Sequence, residues 1–171
     1  MMARTPRLLG KELKKYFKEH AKRIRVRATE SSWWGGRGTR YEVTGFYVIT
    51  KELNVFKMNY STDGRTKVIT NLTIPVGAKV YAPDFAFNED HADDGYRCHD
   101  RKMRASEAIV HSSATMYAQK PVAVARSGWD SSFKYAAGKT IKPRGDFDMD
   151  GDQCASGIHF FLNLQDAIEY N

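Results

Sequence analysis

A chain of 171 residues has the size of one compact domain with an appendage. Its 42% apolar and 27% charged residues exclude wholesale disorder, and two cysteines exclude a disulfide framework. The net charge of +7 is segregated: residues 1–40 hold 12 Lys/Arg against 3 Asp/Glu, and residues 41–171 hold 15 against 17. Charge gathered at one end points to an acidic partner for that end. No run approaches the ~20 apolar residues of a membrane span. The first twenty residues read as no secretion signal.

Thr5 and Pro6 have the chemistry of a helix cap and first helical residue. Leu9, Leu13, Tyr16, Phe17, His20 and Ile24 then recur at helical spacing, with Lys11, Lys14, Lys15, Lys18 and Lys22 over the remaining surface. This spacing predicts a basic amphipathic helix over 6–26, with Gly10 weakening its first turns. "ESSWWGGRGTR" (30–40) breaks regular structure and reads as a linker. The chain therefore divides into a basic helical arm with its linker, 1–40, and a single domain, 41–171.

Beyond the linker the pattern changes to short strands: "RYEVTGFYVI" (40–49) and "NVFKMNY" (54–60), read as a hairpin, then "RTKVITNLTIP" (65–75), with Val68, Thr70, Leu72 and Ile74 on one face. "AKVYAP" (78–83) follows, and an acidic loop covers 84–101. "SEAIVHS" (106–112), "PVAVARS" (121–127), "SSFKYAAG" (131–138), "KTIKP" (139–143) and "SGIHFFL" (156–162) are further strands. Asn163 can cap a closing helix with Asp166 at its third position. The fold class is α+β: a compact domain of short, mainly antiparallel strands with a C-terminal helix, preceded by the basic helix.

The order of motifs over roughly 65–170 resembles a domain family of large DNA viruses, bacteriophages and some bacteria, in which the domain often follows pentapeptide repeats. The resemblance is carried by "VITNLTIPVGAKV" (68–80), "KMRASEAIV" (102–110), "SGWDSSFKYAAGKTIKP" (127–143) and "FDMDGDQCASGIHFFLNLQDAIEY" (147–170). Two departures stand out. Met103 occupies a position where the family usually has cysteine, and the basic helix stands in place of the repeats. The resemblance implies a viral or phage origin and carries no established activity.

Cys98, His99, Cys154 and His159 are zinc-ligand types, but adjacent Cys98–His99 and Cys154-x4-His159 are not the spacing of a tetrahedral site. Asp146, Asp148, Asp150, Gly151 and Asp152 resemble the start of a calcium loop. Gly157 occupies the twelfth position, where a bidentate carboxylate belongs, so at most weak calcium binding is expected and no metal or cofactor is favoured. Cys154 and His159 could pair as nucleophile and base. Strand alternation instead sets Ile158 with Phe160 and His159 with Phe161, which favours a hydrogen-bonded core histidine. "SGIHFFLNLQDAIEY" (156–170) is also loosely similar to a segment of poly-ADP-ribose polymerases. That likeness implies a nucleotide cleft beside Tyr135, His159, Phe160 and Tyr170, with a carboxylate pointing in.

These readings favour a non-enzymatic structural or interaction protein, a minor capsid-type component of a viral particle. It would dock on protein partners through Leu9, Leu13, Tyr16, Phe17, Lys14, Lys15, Lys18, Lys22 and Arg23. The alternatives are an ADP-ribosyltransferase-like or nucleotide-binding module, and nucleic-acid binding through residues 4–40. The expected location is the virion or the host cytoplasm.

Overall fold

The computed structural model of the chain describes residues 7–29, 38, 40–88, 101–151 and 153–170. Helix α1 (Gly10–Lys18) precedes strands β1 (Ala21–Arg23), β2 (Val26–Thr29), β3 (Arg40–Val43) and β4 (Phe46–Ile49). Strands β5 (Leu53–Ser61), β6 (Lys67–Ile74) and β7 (Lys79–Tyr81) come next, then a 3₁₀ turn, Asp84–Phe87. The second half holds β8 (Met103–Ala105), β9 (Ala108–Thr115), β10 (Pro121–Val122), β11 (Val124–Arg126), β12 (Lys134–Ala136), β13 (Thr140–Ile141) and β14 (Ile158–Phe160). Helix α2 (Leu164–Glu169) follows β14. The fold is mostly β.

Among the described residues three antiparallel sheets form. One runs β1-β4-β7-β8-β14; a second runs β10-β9-β6-β5-β11-β12, with β13 also on β9; β2 and β3 make a short ribbon. The first two share one apolar core: Tyr47, Ile49, Val80, Met103, Ile158 and Phe160 from the first meet Leu53, Val55, Val68, Leu72, Ile74 and Val110 from the second. The alternation expected in β6 is present: Val68, Thr70, Leu72 and Ile74 are all buried. On the far side of the larger sheet, Met58, Ile69 and Phe161 pack with Ala167 of α2.

The expected 6–26 helix is corrected to Gly10–Lys18. His20 Nδ1, 2.8 Å from the Tyr16 carbonyl oxygen, donates to it and closes the last turn. Beyond it the chain pairs as strand, Ala21 opposite Ile49, because Ile24 and Val26 are β-branched and alternate with arginines. The apolar stripe faces inward. Leu13 and Phe17 are buried in the shared core, with Phe17 edge-on to Tyr47 at 4.9 Å between ring centroids. Residues 21–29 likewise join the sheets built by later residues.

The run 40–49 is two strands rather than one. Gly45, at φ +94°, turns the chain between them where an added Cβ would stand 3.0 Å from the Tyr81 ring. Residues 40–49 and 54–60 do not form a hairpin either. β4 is flanked by β1 and β7, whereas β5 pairs with β6 through eight residue pairs, Leu53–Ile74 to Tyr60–Lys67.

Candidate functional site

β5 is paired along its whole length on the β6 side, but its other edge is shared by two neighbours that diverge. Phe56 exchanges two backbone hydrogen bonds with Phe161, at 2.9 and 2.8 Å. Tyr60 and Ser61 pair instead with Arg126 and Ala125 of β11. Between these contacts Lys57, Met58 and Asn59 face no described strand on that side. A cleft of about 600 Å³ opens there, walled by Lys57, Lys102, Tyr135, His159 and Tyr170, with Trp129 and Asp130 at its loop side. A lobe of about 370 Å³ continues it past Met58, Tyr60 and Phe161. The size and the aromatic lining suit a small organic ligand.

The polar groups in this cleft are mainly cationic. Leu53, Val55 and Lys57 lie on one face of β5, so Lys57 stands where alternation would place an apolar residue. It lies opposite Thr70, and the inward polar row runs on from Thr70 to Ser113 by a 2.9 Å hydrogen bond. Lys57 Nζ sits 5.9 Å from the centre of the Tyr135 ring, and Lys102 Nζ the same distance from that of Tyr170. Burial, helped by the like charge of Lys102, lowers the Lys57 ammonium to about 8. Lys102 is buried beneath the loop that follows β13; Gln153 Nε2 donates to its carbonyl oxygen at 2.9 Å, and its own Nζ lies 3.7 Å from Cys154 Sγ.

His159 Nε2–H donates to the Ala155 carbonyl at 2.9 Å, which leaves Nδ1 as an acceptor. Burial first, and then the Lys57 charge, lower its pKa to about 4, so the ring is neutral at physiological pH. A histidine depressed in the folded state costs stability on acidification. Between about pH 6.5 and 4 the unfolded chain takes up the proton and the native one does not. Urea denaturation should show stability falling through that window, and His159→Gln should flatten the slope; an unchanged slope would contradict the assignment.

Of the four residues expected at a nucleotide cleft, Tyr135, His159 and Tyr170 line this one. Phe160 does not: it is buried in the shared core with Ile158, on the opposite face of β14. The expected inward carboxylate has no assigned position; Asp130 borders the cleft, half-exposed and paired to Arg144 at 3.1 Å. Asp148 Oδ1 accepts the Asp150 N–H at 2.7 Å, an Asx turn of the kind such loops adopt without an ion. Among the described residues no three His, Cys, Asp or Glu side chains gather as metal ligands. Cys98, His99 and Asp152 lie outside those residues.

The residues expected to dock a partner divide by position. Leu13 and Phe17 are buried in the chain's own core and are not offered to a partner; Leu9 and Tyr16 are half-buried. Lys15, Lys18, Lys22 and Arg23 are exposed, and Lys14 pairs with Asp84 at 3.3 Å. Lys14, Lys18, Lys22 and Arg23 border a groove of about 390 Å³. Sequence reasoning missed Lys57 and Lys102. For Lys57 the signal was present, a lysine in register with Leu53 and Val55 on the inward face; for Lys102 no local pattern marks it.

The model of a family of unknown function, DUF5758, matches residues 40–167, which span β3 to α2 and include Lys57, Lys102, Tyr135 and His159. A curated relative, uncharacterized protein L223 of Acanthamoeba polyphaga mimivirus, is 31% identical over 105 residues. That match covers 60% of this chain and 61% of the relative, so the chain spans about three-fifths of the relative's length. No solved structure matches the chain.

Proposed function

The chain belongs to the DUF5758 family, and from this footing we propose that it is a ligand-binding module whose cleft takes a small anionic molecule carrying a flat ring, of the nucleotide kind. The observation that carries this reading is the meeting of Lys57 and Lys102 in one cleft, with no ion pair to either among the described carboxylates. Lys102 is buried and Lys57 half-buried, and two like charges facing one cleft with reduced hydration are costly; an anion between them offsets that cost. Tyr135 and Tyr170 flank the lysines, and Trp129, 91% exposed at the loop side, offers a ring face for stacking.

Thermal-shift titration with ADP, NAD and inorganic phosphate tests the reading. A bound nucleotide at 100 times its Kd should stabilise the fold by about 2.7 kcal/mol. Affinity should weaken as pH rises through about 8, where Lys57 loses its charge, and Lys57→Met should remove that pH dependence. No stabilisation by any of the three at millimolar concentration would sink the proposal.

A second reading, a minor component of a viral particle, is supported by the mimivirus relative and by the exposed basic groove of Lys18, Lys22 and Arg23. Here the acidic partner meets the lysines, while the apolar stripe stays inside. Mass spectrometry of purified mimivirus particles should then detect protein L223, and its absence would remove this support.

A further inference from the structure

Lys57 is placed for more than holding a charge. It projects from a central strand, on the face that also carries Leu53 and Val55, at the point where the strand edge opens into the cleft. Tyr135 covers it on one side, and Lys102 and His159 share its lobe. Its backbone is fixed by the long β5–β6 pairing, so little chain motion accompanies chemistry at its end.

Resting on the cleft reading above, we infer that Lys57 is a nucleophilic amine that forms an imine with a carbonyl compound bearing an anionic group, Lys102 holding the anion. A lysine becomes nucleophilic when a poorly hydrated site or a neighbouring cation favours its neutral form, and both conditions meet here. With the ammonium lowered to about 8, roughly a tenth of Lys57 is neutral at pH 7, against fewer than about one in a thousand for an ordinary lysine.

The step balances with water as its only by-product. The Lys57 nitrogen lone pair bonds to the carbonyl carbon, and the carbonyl π pair moves to oxygen. That oxygen takes one proton from the nitrogen and one from solvent and leaves as water; the product is a protonated imine. His159, lowered to about 4 and donating Nε2–H to the Ala155 carbonyl, stays neutral beside the amine and adds no competing positive charge, so the proton leaving nitrogen reaches the oxygen through solvent. The imine keeps the positive charge, so Lys102 and the iminium together still face the ligand's anion.

Pyridoxal 5′-phosphate is a suitable probe, since it joins an aldehyde, a phosphate and a flat ring. Pyridoxine 5′-phosphate, which has an alcohol in place of the aldehyde, reports binding without imine chemistry. After brief incubation at pH 7 and borohydride reduction, peptide mapping should find Lys57 labelled on the order of tenfold or more faster than surface lysines such as Lys51 or Lys142. Lys57→Arg, which keeps the charge, should abolish that label while pyridoxine 5′-phosphate still raises the Tm. Lys102→Met should slow the labelling by removing the neighbouring cation. Binding of pyridoxine 5′-phosphate with no preference for Lys57 in the labelling would overturn the imine and leave the cleft reading standing. Labels spread evenly over exposed lysines would overturn the imine even if pyridoxine 5′-phosphate does not bind, and joined with no stabilisation by ADP, NAD or phosphate they would overturn both.

Discussion

Asp166→Ala is expected to destabilise the fold by about 3–5 kcal/mol, the usual cost of stripping one partner from a buried ion pair. Asp166 is 1% exposed at the first turn of α2, and its Oδ2 lies 2.9 Å from Nε of Arg101, itself 4% exposed. Oδ1 receives Arg7 at 2.9 Å, and Asn163 Nδ2 donates to Oδ2 at 3.0 Å. Asn163 also brackets Leu8, accepting its N–H at 2.9 Å and donating to its carbonyl at 2.8 Å. One carboxylate therefore ties residues 7–8, Arg101 and α2 together. Without it the Arg101 guanidinium stays buried and uncompensated. Arg7→Ala should cost under about 1 kcal/mol, because Arg7 is 36% exposed and solvent replaces its partner. Chemical denaturation of both variants separates the two cases. A loss below about 1 kcal/mol for Asp166→Ala would show that the network is not the tie described.

The same residues show what a sequence can and cannot disclose. Asn163 was legible as the residue before a closing helix, and the helix is there. Its side chain makes no capping bond, because the N-terminal segment, 155 residues away in sequence, claims it. Local chemistry gave the position and a remote contact chose the partner. Alternation worked wherever one face is buried throughout: β6 has the expected inward face, and β14 sets Ile158 and Phe160 against His159 and Phe161 as read from "GIHFF". It failed at junctions. Gly45 is the local sign of a break in "RYEVTGFYVI", but nothing local tells that its halves join different sheets, since that depends on where β2 and Tyr81 come to lie. The cleft arises in the same way. It exists because β11 and Phe161 take different parts of one strand edge, and that sharing is settled only when distant segments pair.

The amphipathic pattern of residues 9–24 belongs to the same lesson. A stripe of Leu, Tyr and Phe must be covered, and the pattern does not say by what. Leu13 and Phe17 close the end of the shared core, Phe17 against Tyr47 and Phe87. Charge asymmetry is thereby separated from hydrophobic docking. The lysines around the stripe face outward because it faces inward, so the surface at this end is charged rather than an apolar helix face.

Arg104→Met is expected to loosen the wall of the cleft while keeping side-chain volume. Arg104 is fully buried in β8. Its guanidinium carbon lies 4.8 Å from the ring centres of both Tyr81 and Phe147 and 5.7 Å from that of Phe46. Nη1 donates to the carbonyl oxygens of Asp148 and Ser156, so one side chain grips both ends of the segment 148–156. Tyr81 adds a third tie through its hydroxyl, which donates to the Gly151 carbonyl at 2.6 Å. The fit is close: a Cβ added at Gly157 would stand 2.9 Å from that of Arg104. Methionine fills the cage but donates nothing, and two carbonyls lose a charged donor at about 1.5–3 kcal/mol each before relaxation. The expected outcome is a net loss of about 2–4 kcal/mol and faster proteolytic cutting within 144–157. Because Ala155 is the residue that holds His159 Nε2, freeing the segment also releases the ring that borders Lys57. Ligand affinity in the cleft should therefore fall with the loop's protection. Arg104→Lys keeps the charge but not the planar fork, and should behave like the methionine variant rather than the wild type. If that variant instead preserved both protease resistance and binding, charge in the aromatic cage, not the two-carbonyl grip, would be what secures the segment.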